Sequence, residues 1–128
     1  MICDTDRKAI DIAEAGNAYF TNVLGGGIRT AQQIVLKKTR YYEDEETVKQ
    51  FEKIAVNAAG TSVAERAEKS LMVCGTPDTA IRQIKELKKN LGHGRMNLNI
   101  KVGNTPDAAV LHCMELLRDV VFPAVRDV

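Results

Sequence analysis

Residues 74–84 read CGTPDTAIRQI, and residues 103–113 read GNTPDAAVLHC. The pattern Thr-Pro-Asp-x-Ala-(Ile/Val) therefore recurs after 29 residues, from Cys74 to Gly103. The alignment continues beyond the signature, pairing Val73 with Val102, Ala80 with Ala109, Ile81 with Val110, Glu86 with Glu115 and Leu87 with Leu116. In both copies threonine suits an N-cap, where its oxygen accepts from a free backbone N–H. Proline suits the first helical position, where its missing N–H costs nothing, and aspartate suits the positive end of the helix dipole. Helices are expected over 77–91, with Ile81, Ile84, Leu87 and Leu91 on one face, and over 106–121, with Val110, Met114 and Leu117.

Ahead of the first helix, Leu71, Met72, Val73 and Cys74 form a short apolar run closed by Gly75. Ahead of the second, apolar Met96, Leu98, Ile100 and Val102 alternate with polar Asn97, Asn99 and Lys101. Both stretches read as strands. Strand–helix units in tandem imply a parallel pair joined by a right-handed crossover. The expected fold is therefore α/β, with residues 70–128 as two βα units in β-α-β-α order. At 128 residues the chain is short of the roughly 250 that a whole (β/α)8 barrel occupies, so only part of one would fit.

Residues 1–69 read as a helical segment of the same domain. Over 5–24, Ile10, Ala13, Tyr19 and Phe20 fall near helical spacing behind the candidate caps Asp4 and Thr5, and Gly25-Gly26-Gly27 is the expected stop. A second helix is expected over 30–41. A third follows the acidic cluster Glu43-Asp44-Glu45-Glu46, with Val48, Phe51, Ile54, Ala55 and Ala58 as its stripe and Gly60 as its end. Ser62-Val63-Ala64-Glu65 has the spacing of a capping box.

The balance of 18 Lys+Arg against 17 Asp+Glu gives no field to draw nucleic acid or an anionic membrane, and neither partner is expected. Cys3, Cys74 and Cys113 are odd in number and lack a CxxC pair, which argues against a disulfide framework or zinc knuckle and for a reducing, cytoplasmic location. The start MICDTDRK lacks the apolar core of a signal peptide, and no apolar run approaches the length of a membrane helix.

Free N–H groups at the two helix starts, beside Gly75-Thr76 and Asn104-Thr105, are candidates for holding an anion. Capping alone accounts for the same residues, and proline removes a donor while aspartate repels an anion. Lys101, on the polar strand face with Asn97 and Asn99, either reaches a ligand or is a solvated lysine. Through the repeat, Ser70 and Met72 share that face. Gly25-Gly26-Gly27 has no phosphate-loop spacing, His93 and His112 have no sequence neighbour to work with, and Cys74 reads as a small buried apolar residue. GxSxG, HExxH and paired-carboxylate motifs are absent.

Val73-Cys74-Gly75-Thr76-Pro77-Asp78, followed by Met114-Glu115-Leu116-Leu117 and Val121-Phe122-Pro123, resembles the C-terminal portion of the luciferase-like flavin-dependent monooxygenases. That family pairs a "VGTP" strand–turn–helix with a final helix like "MELFxxxVxP". The resemblance covers about residues 70–125 and implies the last two βα units of a (β/α)8 TIM barrel. It also implies a reduced FMN or deazaflavin cofactor, often with oxygen, and a small organic substrate. Gly75 and Thr76 match the family turn; Lys101, Asn104 and Thr105 lie on the same end. Most flavin contacts in that family come from earlier strands, so no catalytic residue transfers. The implied state is a homo-oligomer or a pairing with a complementing chain. The alternative is a non-catalytic α/β module for assembly or small-ligand binding.

Overall fold

The computed structural model describes residues 1–27, 30, 31, 34, 46, 49, 61–92 and 94–126. Apart from residues 30, 31, 34, 46 and 49, which are helical, the expected helices over 30–41 and after the acidic cluster lie outside this set, as does His93. Helix α1 spans Asp6–Tyr19, capped by Thr5, whose side chain accepts from the Lys8 N–H. It runs into a π-helical turn, Phe20–Leu24, closed by the Gly25 N–H on the Phe20 carbonyl. Gly25, Gly26 and Gly27 remain helical, so the backbone does not stop where the glycines suggested. Helix α2, Val63–Glu68, opens on the complete capping box of Ser62 and Glu65. It closes with Ser70 at a left-handed φ of 53°, the Ser70 N–H on Ala67 and the Leu71 N–H on Arg66.

Helix α3 spans Pro77–Leu91 with Thr76 as N-cap and left-handed Gly92 at its end. Helix α4, Asp107–Leu116, continues through a π turn, Leu117–Val121, into the short α5, Phe122–Val125. The wider π turn rotates the buried stripe. Cys113, Leu117 and Val121 point inward, whereas Met114, expected on the inner face, is half-exposed.

Met1–Cys3 lies parallel to the segment after α2. The Met1 nitrogen donates to Val73 O at 3.0 Å. Gly75 N donates to Met1 O, and Cys3 N to Gly75 O, each at 3.1 Å. This short pair is a wall between two cores, because successive extended residues face opposite sides. Ile2 joins Ala80, Ile84, Cys113, Leu117 and Val121, with Val73 packed against them. Cys3 joins Ala9, Val63, Ala67 and Cys74. Each fully buried large side chain contributes about 1.5–3 kcal/mol.

The expected β-α-β-α arrangement is not found. Among the described residues there is no sheet, only the isolated parallel bridge between Ile2 and Gly75. The chain therefore does not display part of a (β/α)8 TIM barrel. Side-chain alternation reports which face is buried, and it does survive: Met96, Leu98, Ile100 and Val102 are half-buried while Asn97, Asn99 and Lys101 are exposed. A strand also needs a ladder partner. Leu71–Cys74 finds only the N-terminal tripeptide, and the backbone of 96–101 finds none among the described residues. Within that same set, no helix is long and apolar enough to cross a membrane.

Candidate functional site

An open cleft of about 340 Å³ lies between the Met72–Val73 segment and the extended stretch 96–102. Leu98, Ile100, Val102 and Cys113 form much of its apolar lining, and Asn17, Asn97 and Asn99 supply amide groups that can both donate and accept. An apolar pocket of this size with a few polar groups suits a small, largely uncharged organic molecule.

The turn Gly75-Thr76 sits beside the cleft, and its donors are engaged. Gly75 N is in the parallel pair. Thr76 N donates to Asp6 Oδ1 at 2.6 Å, and Thr79 Oγ1 donates to Asp6 Oδ2 at 3.3 Å. The carboxylate of Asp6 therefore stands where an anion at this helix start would bind. The Thr76 amide, aided by Thr79, holds the Asp6 carboxyl below the usual carboxylate range. Gly75 makes the approach possible: at φ 146° a Cβ would meet both Asp6 Oδ1 and the Thr79 side chain.

The second copy of Thr-Pro-Asp is built differently. Thr105 is buried and turns its hydroxyl back to donate to Val102 O at 2.6 Å. Pro106, which has no side-chain oxygen to offer, occupies the N-cap. Lys101 Nζ pairs with Asp107 across the turn, and that hydrogen bond lowers the Asp107 pKa. Asn104 is exposed. Helix α1 presses on this turn through Gly16 and Gly103, which leave room for Thr105 Oγ1 and for Gly16 O respectively. Thr105 lines the main cleft, whereas Gly75, Thr76, Lys101 and Asn104 do not. Ser70, expected to share a face with Asn97, is buried and donates to Glu86 Oε2 at 2.7 Å.

Asp6, Asn17 and Gln83 carry roles that local sequence did not announce. Asp6 lies 70 residues from Thr76, and no nearby pattern marks the pair. His112 likewise meets Asp4 at 2.8 Å across 108 residues. Cys3 and Cys74 are buried, and desolvation pushes both thiols up, away from the reactive thiolate. Among the described residues no three His, Cys, Asp or Glu groups come together to hold a metal.

Asp6→Ala is expected to remove about 1 kcal/mol at pH 7, the usual scale for a helix-start acceptor. A depressed carboxyl stabilises the fold above its unfolded value near pH 3.9 and loses that contribution as pH falls through the folded value. The gap between wild type and Asp6→Ala in urea midpoints should therefore close below about pH 4. A gap unchanged from pH 7 to pH 3 would remove the carboxylate from this role.

No family model, no curated protein and no solved structure matches the chain.

Proposed function

We propose that the chain is the C-terminal portion of a luciferase-like flavin-dependent monooxygenase, contributing an apolar wall of the ligand site and inactive without a complementing chain. The observation supporting this reading is that its two motifs meet beside the cleft. Val73 packs on the core that holds Leu117 and Val121, and the open cleft adjoins it. In such an enzyme, reduced FMN or a deazaflavin supplies electrons to oxygen for oxidation of an organic substrate. The residues here fit the uncharged part of such a site. They do not fit the cofactor phosphate, because the Thr76 amide faces Asp6 and Lys101 faces Asp107. Leu98, Ile100 and Val102 exclude water, while Asn97 and Asn99 orient polar edges.

Flavins with and without phosphate test this assignment. Riboflavin and FMN are expected to be quenched by the purified chain with dissociation constants equal within about threefold, since no phosphate contact separates them. Asn99→Trp, at the cleft margin, should abolish both. If neither flavin binds, the flavin reading is overturned in favour of a non-catalytic small-ligand module. That second reading is favoured by the pairing of Thr76 with Asp6 and of Lys101 with Asp107.

The backbone of 96–101 offers hydrogen-bonding groups that no described residue meets. Such an edge associates with other chains. Self-association is expected by sedimentation velocity, with a weight-average mass rising above the 14.1 kDa of one chain as concentration increases. A monodisperse monomer across that range would contradict it.

A further inference from the structure

A second pocket, also of about 340 Å³, lies between α3 and the end of α5 and shares Met96 and Leu98 with the first. Its floor is apolar, built from Ile84, Leu98, Phe122 and Val125. Ile84 is buried in the core, whereas Phe122 is 48% exposed and presents aromatic surface to the opening. Arg95 and Arg126 also line the pocket, and no carboxylate among the described residues does. Neither guanidinium has a hydrogen bond or ion pair among the described residues, and Lys88 also lines the pocket. Among the described residues, Lys8 holds Asp4, Lys101 holds Asp107 and Arg118 holds Asp119. The dipole at a helix end accounts for Arg126 but not for Arg95, which precedes an extended segment.

We propose that this pocket binds an amphipathic anion, its hydrocarbon or aromatic body on Phe122, Leu98 and Val125 and its acidic head between Arg95 and Arg126. The planar guanidinium suits a carboxylate or sulfonate oxygen pair, and Phe122 gives the body a face to stack on. The site shares Met96 and Leu98 with the cleft assigned to the flavin reading, but none of Lys88, Arg95 and Arg126 lines that cleft, and the proposal does not depend on that reading.

The test uses the whole chain with two fluorescent probes of similar shape: anionic 8-anilinonaphthalene-1-sulfonate and neutral N-phenyl-1-naphthylamine. The double variant Arg95→Gln/Arg126→Gln is expected to bind the sulfonate on the order of tenfold more weakly, with the neutral probe unchanged. Arg95→Lys/Arg126→Lys, which keeps both charges, should retain most of the sulfonate affinity. Asn99→Trp, in the other cleft, should leave it intact. Wild-type sulfonate affinity in the glutamine double variant overturns the proposal, as does equal loss of both probes.

Discussion

Gly103→Ala is expected to destabilise the protein by at least about 3 kcal/mol, whereas Gly92→Ala should cost only about 1 kcal/mol. The two glycines have nearly the same left-handed backbone, with φ of 59° and 61°. A Cβ at Gly92 meets nothing within 4 Å, so that variant isolates the conformational cost. A Cβ at Gly103 runs into the Gly16 carbonyl oxygen and comes within 3.2 Å of Phe20 N. These are backbone atoms of α1 and its π turn, which cannot rotate aside like the tip of a flexible side chain. Gly16→Ala should be unfavourable for the matching reason. Glycine-to-alanine changes inside a helix normally stabilise by about 0.5–1 kcal/mol, but here the added carbon lies 2.5 Å from Thr105 Oγ1 and 2.6 Å from Val102 O. Guanidinium midpoints at constant slope measure all three. Equal losses for Gly92→Ala and Gly103→Ala would show that α1 does not seat on the 102–105 turn. Because Asn17, Val102 and Thr105 line the cleft, Gly103→Ala should abolish riboflavin binding as well.

Local chemistry made the helices legible. Proline after Thr76 and the Ser62–Glu65 box each act within a few residues, and each is found where its spacing places it. The identical Thr-Pro-Asp in the second copy shows the limit of that logic. Thr105 would cap its helix on propensity alone, yet α1 arrives at Gly16 and the hydroxyl serves the Val102 carbonyl instead. A cap is a local bond, and a tertiary neighbour can redirect it.

The strands failed for a different reason. The alternation over 96–102 correctly separated inward from outward side chains, but a ladder is a property of two segments, and no sequence pattern states whether the second is present. Leu71–Cys74 gained its short parallel partner from Met1–Cys3, residues that no periodicity singled out. The candidate site divided along the same line. Alternation identifies Leu98, Ile100 and Val102 as the buried side, but Asn97 and Asn99 line the same cleft, and Asn17 and Asp6 come from the distant end of the chain.

Gln83→Leu should be the other severe substitution, costing about 3 kcal/mol despite preserving volume and helix propensity. Gln83 is only 1% exposed, in the middle of α3. Its Oε1 accepts from Cys74 N at 3.0 Å. Its Nε2 donates to Ala67 O at 2.9 Å and to Cys74 O at 3.3 Å. The side chain thereby joins α2, the wall segment and α3. Leucine would leave both backbone groups of Cys74 buried without their partner, while Ala67 O would lose the amide and keep the Ser70 N–H. Each orphaned group costs about 1–3 kcal/mol. Gln83→Glu separates lost hydrogen bonds from altered packing. A buried glutamate has its folded pKa raised above the unfolded value near 4.3, since burial and the facing carbonyls disfavour the charge. Its neutral carboxyl can still donate, so the deficit relative to wild type should be smallest below about pH 4 and grow as pH rises through the folded value. Urea midpoints of Gln83→Glu and wild type, compared at each pH, measure this. A deficit that does not change between pH 3.5 and pH 7.5 would mean that position 83 matters for shape and not for its amide.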